Sequence, residues 1–159
     1  MITLIITGKL LLAMMLGALI GIERGHKGKP AGMRTYALIS LGASLFTVIA
    51  GEALQFVGAI STAYDPGRVF GNIIVGIGFV AAGVIMRRED KVEGLTTAAG
   101  IWIAAGIGMS VGAELYAIGL ITTLIVIFIF WPLGHLERYI EDKFGFEMTR
   151  SYKARKNGE

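Results

Sequence analysis

Apolar residues are grouped in five long blocks along this chain, and the segments between the blocks contain glycine, proline and charged residues. Each block has about the length that a helix needs to cross about 30 Å of hydrocarbon, which is roughly 17 to 25 residues. A backbone in hydrocarbon has no water to bond, so each block is expected to be helical. The pattern predicts transmembrane helices at residues 3–22, 35–54, 69–86, 95–113 and 115–133.

The fourth and fifth blocks are separated by little more than Glu114, so they form either a tight helical hairpin or one apolar segment that bends. Composition agrees with a membrane protein, because 54% of the residues are hydrophobic and 17% are charged, against roughly 25% charged in soluble domains. The mean hydropathy is +0.66. The expected fold class is an all-α membrane protein, a compact bundle of five transmembrane helices.

Beyond Pro132, which is expected to end the fifth helix, apolar residues recur at intervals of three and four among charged ones. This spacing predicts a short amphipathic helix that lies on the membrane surface, followed by a basic tail. The expected domains are therefore a transmembrane helical domain at 1–133 and a cytoplasmic amphipathic helix with a basic tail at 134–159. The predicted apolar stripe consists of Leu133, Leu136, Ile140 and Phe144.

The distribution of positive charge predicts the orientation of the helices. Thirteen of the fifteen Lys and Arg residues lie after the first block, after the third block or in the tail, whereas Lys9 and Arg68 lie in the remaining segments. Short loops rich in Lys and Arg stay on the cytoplasmic side of a membrane. We therefore expect the N-terminus outside and the C-terminus in the cytoplasm.

The segment GIERGHKGKPAGMRT at 21–35 is the first predicted cytoplasmic loop. Glu23, Arg24 and Arg34 lie where the first two helices meet the membrane interface. They are candidates for ion pairs, or for binding anionic headgroups or a partner protein. Pro30 and the glycines around it are expected to give this loop a fixed shape.

Glycine occupies 23 of the 159 positions, about twice its usual share of roughly 7%. Several glycines recur every four residues and so share one helix face, where another backbone can approach closely. The spacing does not say whether that backbone belongs to the same chain or to a second copy, and a homodimer is one hypothesis. The glycines assigned to helix packing are Gly17, Gly21, Gly76, Gly78, Gly83, Gly108 and Gly112.

Three carboxylates lie on the predicted outer side, namely Glu52, Asp65 and Glu114. Mg²⁺ prefers oxygen ligands, commonly one or two carboxylates with water, so a weak outer cation site is one hypothesis and ordinary solvation is the alternative. No other cofactor is indicated. The blocks place no carboxylate securely at the membrane midplane, where ion-coupled carriers usually have one, which weakens a transport function.

Motifs for catalysis are absent from the sequence. His26 and His135 are the only histidines, there is no cysteine, and no H-E-x-x-H motif or triad spacing occurs, so we do not expect an enzyme. The segment GIGFVA at 76–81 matches a dinucleotide fingerprint, but it lies within an apolar block and follows no strand. Thr96 and Thr97 have a simple interpretation as a helix cap. The basic tail is too small to indicate nucleic-acid binding.

Four segments of the sequence carry distinctive motifs. They are G-x-x-x-G-x-E-R followed by K-P-A-G-M-R-T within 17–35, P-G-R at 66–68, I-V-G-I-G-F-V-A-A-G-V-I-M-R at 74–87 and V-E-G-L-T-T-A-A-G-I-W at 92–102. Together they resemble the bacterial MgtC/SapB family of inner-membrane proteins over residues 10–125. The resemblance implies a five-helix domain in the plasma membrane. It also implies a link to growth under Mg²⁺ limitation and, for some members, restraint of the proton-driven ATP synthase.

The resemblance carries the family's motif positions over to this chain. From them we take six candidates for an interfacial ion-pair, lipid-binding or partner-binding site: Glu23, Arg24, Arg34, Arg68, Thr96 and Thr97. The other motif positions are Pro30, Gly32, Gly76, Gly78, Gly83, Gly94 and Trp102. Virulence-type members carry a soluble C-terminal domain, so this chain resembles a short member of the family.

Two functions remain open at this point. The first is a non-catalytic membrane protein that binds lipids or partner membrane proteins, such as the ATP synthase. The alternative is a transporter or channel for Mg²⁺ or another cation.

Overall fold

The computed structural model describes residues 1–57, 65–88 and 91–144. The elements follow one another as α1 (Ile2–His26), α2 (Met33–Val57), α3 (Pro66–Ala82), β1 (Met86–Arg88), β2 (Lys91–Glu93), α4 (Leu95–Gly112), α5 (Tyr116–Phe128), a π-helical turn (Ile129–Leu133) and α6 (Gly134–Phe144). The expected all-α membrane fold is confirmed. The internal contacts divide the chain into two units, Met1–Ile127 and Phe128–Glu159.

Four helical segments of the described chain are long and apolar enough to cross a membrane, namely Ile2–His26, Met33–Ala53, Leu95–Gly112 and Tyr116–Leu136. The apolar part of α3, Gly67–Ala82, is shorter. Many large apolar side chains on the outside of these helices are exposed, including Leu38, Phe79 and Leu124. Exposed apolar surface of this extent suits helices whose solvent is lipid.

The first unit is built around α1, α2 and α4, which pack against one another, while α3 packs on α2 and α4. Ile20, Tyr36, Ile101 and Val111 are fully buried between the three central helices. Lipid tails are as apolar as leucine, so the association of these helices depends on close packing rather than on removal of apolar surface from water.

Two glycines of α4 lie directly against α2. A Cβ at Gly108 would overlap the backbone of Ser40, and a Cβ at Gly112 would lie 2.7 Å from the Cβ of Thr47. On α1, a Cβ at Gly21 would lie 2.8 Å from the backbone nitrogen of Met33. These contacts are within one chain. In contrast, a Cβ at Gly76 or Gly78 would meet nothing within 4 Å.

The fourth and fifth blocks form a helical hairpin. α4 ends at Gly112 with Ala113 as its C-cap, Glu114 has a φ of 66°, and the amide of Leu115 donates to the carbonyl of Ser110 at 2.8 Å. This left-handed turn reverses the chain, so that a Cβ at Gly119 of α5 would lie 2.9 Å from the hydroxyl of Ser110. The alternative of one bent apolar segment is therefore wrong.

The third block ends earlier than its apolar pattern indicates. We expected helix to residue 86, but α3 ends at Ala82, and the amides of Val84 and Ile85 close a turn by donating to Ala81 and Ala82. The chain then forms an antiparallel hairpin in which Met86 faces Glu93. The cross-strand pairing removes residues 86–88 from the helix, and hydropathy alone does not reveal such pairing.

The expectation that Pro132 ends the fifth helix is also wrong. The π-helical turn Ile129–Leu133 contains Pro132, and α6 begins directly after it at Gly134. A wider turn tolerates a residue that cannot donate a backbone hydrogen bond, so the helical path continues.

Candidate functional site

A buried cation lies at the end of α1. Arg24 is 6% exposed, and its Nη2 donates to the hydroxyl of Thr97 at 2.7 Å. Thr97 is 1% exposed on the first turn of α4, and its carbonyl accepts a hydrogen bond from the hydroxyl of Tyr36 at 3.4 Å. These three side chains, from α1, α2 and α4, form what we call the Arg24 cluster. It joins the three central helices at one end of the bundle.

The neighbouring charges on α1 form a pair of their own. Glu23 and Lys27 are four residues apart, and their charged groups form a salt bridge in which both side chains are mostly buried. Residues at this spacing share a helix face. Glu23, Arg24 and Lys27 together carry one negative and two positive charges, so this end of α1 has a net positive charge.

A cleft lies beside the Arg24 cluster. Its volume is about 720 Å³, and we call it the Arg24 cleft. One wall comes from the loop after α1 and the other from the β-hairpin and the start of α4. The lining residues are Arg24, Gly28, Lys29, Pro30, Met86, Val92, Glu93, Gly94, Leu95, Thr96 and Thr97.

Two glycines with positive φ shape the walls of this cleft. Gly28, with a φ of 61°, follows the end of α1, and the amide of Lys29 donates back to the carbonyl of Arg24 at 3.1 Å. This is the bonding of a Schellman motif, which turns the chain sharply after a helix. Gly94 has a φ of 93°, and a Cβ there would overlap the carbonyl of Val84, so only glycine fits between the hairpin and α4.

The cap interpretation of Thr96 and Thr97 is wrong. The N-cap of α4 is Gly94, and it makes no side-chain cap hydrogen bond within the described residues. Thr97 instead accepts a hydrogen bond from Arg24, and Thr96 is exposed and lines the cleft. Glycine at the N-cap leaves the first turn of α4 open to the cleft.

The structure brings some of the predicted site residues together and separates others. Arg24, Thr96 and Thr97 meet at the cleft, and Glu23 lies beside Arg24 on α1. Arg34 on the first turn of α2 and Arg68 on the first turn of α3 are exposed and are not among the residues that line the cleft.

Sequence reasoning missed two members of this site. Tyr36 was not considered because a tyrosine at the start of an apolar block is typical of a membrane interface. Lys29 lies in a charged loop, where lysine is typical of solvated positive charge on the cytoplasmic side, and the adjacent Gly28 and Pro30 are the signals of a fixed loop.

A second cation, mostly buried, lies nearer the other end of α1. Lys9 is fifteen residues before Arg24, or about 22 Å along a helix. Its Nζ lies 2.8 Å from Oε1 of Glu114 in the turn between α4 and α5. The Lys9 side chain is 10% exposed, whereas that of Glu114 is 65% exposed. The hydrogen bond and the charge of Lys9 lower the pKa of Glu114 below its usual value.

The three outer carboxylates lie on different elements of the structure. Glu114 pairs with Lys9, and Asp65 caps α3 by accepting a hydrogen bond from the amide of Gly67 at 2.8 Å. Glu52 lies on α2. Within residues 1–57, 65–88 and 91–144, no group of three or more His, Asp or Glu residues is placed to hold a metal ion.

Comparison with known proteins identifies the family. The sequence profile of the MgtC family matches residues 10–139, which include every residue of the Arg24 cluster. This chain belongs to the MgtC family. No solved structure matches it.

Three curated relatives differ in how much of their length this family member matches. It is 36% identical to protein SrpB of Synechococcus elongatus over 160 residues, which is 92% of this chain and 85% of SrpB. It is 38% identical to YhiD of Escherichia coli over 129 residues, 79% of this chain and 60% of YhiD. It is 44% identical to protein MgtC of Salmonella typhimurium over 119 residues, 74% of this chain and 48% of MgtC. The chain therefore spans about half of MgtC and less than two thirds of YhiD.

Proposed function

We propose that this MgtC-family protein is a non-catalytic membrane protein that acts by binding lipids or partner membrane proteins at the Arg24 cleft. The observation that carries the proposal is a buried cation in the wall of a cleft of about 720 Å³. An ionisable group buried in a membrane protein is costly and usually marks a functional site. On the charge distribution, the loops around this cleft belong to the cytoplasmic side, with the N-terminus outside.

The packing of the central helices supports binding rather than transport. The contacts of Gly108 and Gly112 with α2 leave no room for a side chain between these helices. An ion path needs polar groups around an open space, whereas these helices are in backbone contact. The family resemblance supports a role in adaptation to Mg²⁺ limitation, and another inner-membrane complex such as the ATP synthase is a candidate partner.

A homodimer is part of this proposal. An apolar groove of about 530 Å³ lies between α2 and α3, and Gly42 and Gly76 line it with open space beside them. Asn72 also lines this groove, and a polar side chain in lipid is stabilised by a hydrogen bond to another helix. Gly17 and Gly108 already contact the same chain, so the groove is the better place for a second copy.

Cysteine cross-linking in native membranes tests the dimer. The chain has no cysteine of its own, so Gly76→Cys introduces a single thiol in the groove. We expect a disulfide-linked dimer with Gly76→Cys and monomers with Leu124→Cys, which places the thiol on an exposed position of α5. Equal cross-linking at both positions, or none at Gly76→Cys, would contradict the dimer.

The alternative function is a Mg²⁺ transporter or channel, and its support is that the relative YhiD is provisionally named a magnesium transporter. Purified protein in liposomes that contain a Mg²⁺-sensitive dye separates the two functions. We expect no Mg²⁺ flux above that of empty liposomes. Flux that is lost with Glu52→Gln or Glu114→Gln would overturn the binding role in favour of transport.

Photo-cross-linking in cells tests the binding role directly. A photoreactive amino acid in place of Lys29, which lines the cleft, is expected to form adducts with a lipid or with a partner protein. The same amino acid in place of Arg34, on the same predicted side but outside the cleft, is the control. Identical adducts from both positions would mean that the cleft has no role of its own.

A further inference from the structure

We infer that the Arg24 cleft binds the phosphate group of its ligand. This inference rests on the proposed binding role and names the ligand chemistry of the same site. The lining contains two cations, Arg24 and Lys29, and two hydroxyl groups, those of Thr96 and Thr97. Glu93 is the carboxylate among the lining residues, so the cations outnumber the anions.

The position of Arg24 makes its charge effective. Its side chain is buried, and a charge that is shielded from water interacts more strongly with an anion than a charge on the surface. The hydrogen bond to Thr97 fixes the guanidinium in the wall of the cleft. Arginine carries five N–H donors in a planar fork that suits phosphate oxygens.

Lys29 supplies a second cation to the lining of the cleft. The Schellman turn at Gly28 brings Lys29 and Pro30 over the end of α1, and Pro30 restricts the backbone on either side of it. Lys29 is exposed, so it reaches a ligand without a desolvation cost of its own. A phosphate bound in the cleft would be attracted by both Arg24 and Lys29.

The N-terminus of α4 adds to the positive electrostatic potential in the cleft. The first amides of a helix have no partner within the helix, and the helix dipole favours an anion at this end. Since the N-cap Gly94 supplies no side-chain acceptor within the described residues, the first turn of α4 is not shielded from the cleft by a cap. This feature reinforces the two cations and does not define the site alone.

The size of the cleft indicates what carries the phosphate. Ligand pockets are usually roughly 300 to 1,000 Å³, and the Arg24 cleft, at about 720 Å³, has room for a phosphate with a substituent. The apolar side chains of Met86, Val92 and Leu95 line the same cleft and are exposed. A phospholipid headgroup and a soluble phosphate compound both carry a phosphate group. A lipid headgroup can reach the cleft because the cleft lies where the apolar helices end.

Binding measurements on the full-length protein in a non-ionic maltoside detergent, which contains no phosphate, test the inference. One arm titrates short-chain phosphatidylglycerol and counts bound lipid by native mass spectrometry. The other arm titrates inorganic pyrophosphate by calorimetry. We expect one of these probes to bind the wild-type protein, and the arm in which it binds identifies the source of the phosphate.

Three variants decide whether the cleft is responsible. Lys29→Gln should weaken binding by about tenfold, as expected for loss of a hydrogen bond to a charged group. Arg34→Gln removes the same charge outside the cleft and should change binding by less than about twofold. Glu93→Gln removes the carboxylate from the lining and should strengthen binding, which a folding defect cannot imitate.

Three results would overturn the inference. The first is binding of neither probe. The second is an equal effect of Lys29→Gln and Arg34→Gln, because this pattern would mean attraction to general surface charge. The third is no gain with Glu93→Gln, because the anion would then bind away from the cleft that Glu93 lines. If the inference fails while the photoreactive residue at position 29 still forms a specific adduct with a partner protein, the proposed binding role stands and only the ligand class is wrong.

Discussion

The two ends of α1 bury a cation in different surroundings. Lys9 bonds to the carboxylate of Glu114, so the pair is electrically neutral. Arg24 bonds to the neutral hydroxyl of Thr97, beside a cleft with a second cation, Lys29. A neutral pair satisfies the requirements of lipid and holds α1 to the turn between α4 and α5. Arg24 and Lys29 both line the cleft, so the comparison sets a neutral structural pair against a cationic site that we propose for binding.

The largest effect is expected from Arg24→Ala. Truncation of a large buried side chain to alanine commonly costs roughly 2 to 5 kcal/mol through lost packing, and here the Thr97 hydroxyl also loses its donor. The three central helices meet at this residue, so the loss should lower the melting temperature of the purified protein, followed by circular dichroism. Arg34→Ala, at an exposed position, is the control and should leave the melting temperature nearly unchanged.

Arg24→Lys sharpens this prediction. Lysine keeps the charge but offers a compact ammonium group in place of the planar fork, so it should restore only part of the lost stability. Full recovery with lysine would mean that charge alone matters at this position and that the bonding to Thr97 does not.

At the other end of the helix, the two members of the pair should behave unequally. Glu114→Gln leaves the buried Lys9 without its carboxylate and should lower the melting temperature, although by less than Arg24→Ala. Lys9→Met removes the buried charge and leaves an exposed carboxylate, so stability should stay the same or rise. The double variant should resemble Lys9→Met. If both single variants lost the same stability, the burial of Lys9 would not be the source of the asymmetry.

A smaller change at the Arg24 end tests the hydroxyl itself. Thr97→Val keeps the shape of the side chain and removes the acceptor of the hydrogen bond from Arg24, at a cost of about 1 to 2 kcal/mol. Thr96→Val, one residue earlier and exposed, should cost less than about 0.5 kcal/mol. Equal effects at both positions would contradict the fixed role of Thr97, and urea titration of each variant measures the difference.

The helices could largely be predicted from the sequence, because lipid requires long apolar helices and the chain contains five apolar blocks. The ends of the helices were harder to predict. We expected α1 to end at residue 22, but it continues to His26 and carries Glu23 and Arg24 on its last turns. Charged residues at a membrane interface fit a helix as well as a loop, so hydropathy does not locate the boundary.

The candidate site could be predicted only in part. Arg24, Thr96 and Thr97 were chosen from the family motifs, but the contact between Arg24 and Thr97 joins residues 73 positions apart. The contact between Lys9 and Glu114 spans 105 positions. Such contacts depend on which helices are neighbours, and a single sequence holds no direct record of that. The lone cation in the first block and the carboxylate in the turn were the available signal for the second pair.

The smallest effect concerns pH. Because Lys9 lowers the pKa of Glu114, the folded protein holds this carboxylate ionised at a pH where the unfolded chain begins to take up a proton. The stability that the Lys9–Glu114 pair contributes is therefore complete above the usual glutamate pKa of about 4.5 and is lost as the pH falls through the lowered pKa.

Melting temperatures of the wild-type protein and of Lys9→Met, measured from pH 7 to pH 3, isolate the contribution of this pair because the other carboxylates titrate in both proteins. Relative to Lys9→Met, the wild-type protein should lose stability below about pH 4.5, since Lys9 then remains buried beside a neutral acid. A difference that does not change with pH would mean that Glu114 does not compensate Lys9, and the contrast between the two ends of α1 would then have no electrostatic basis.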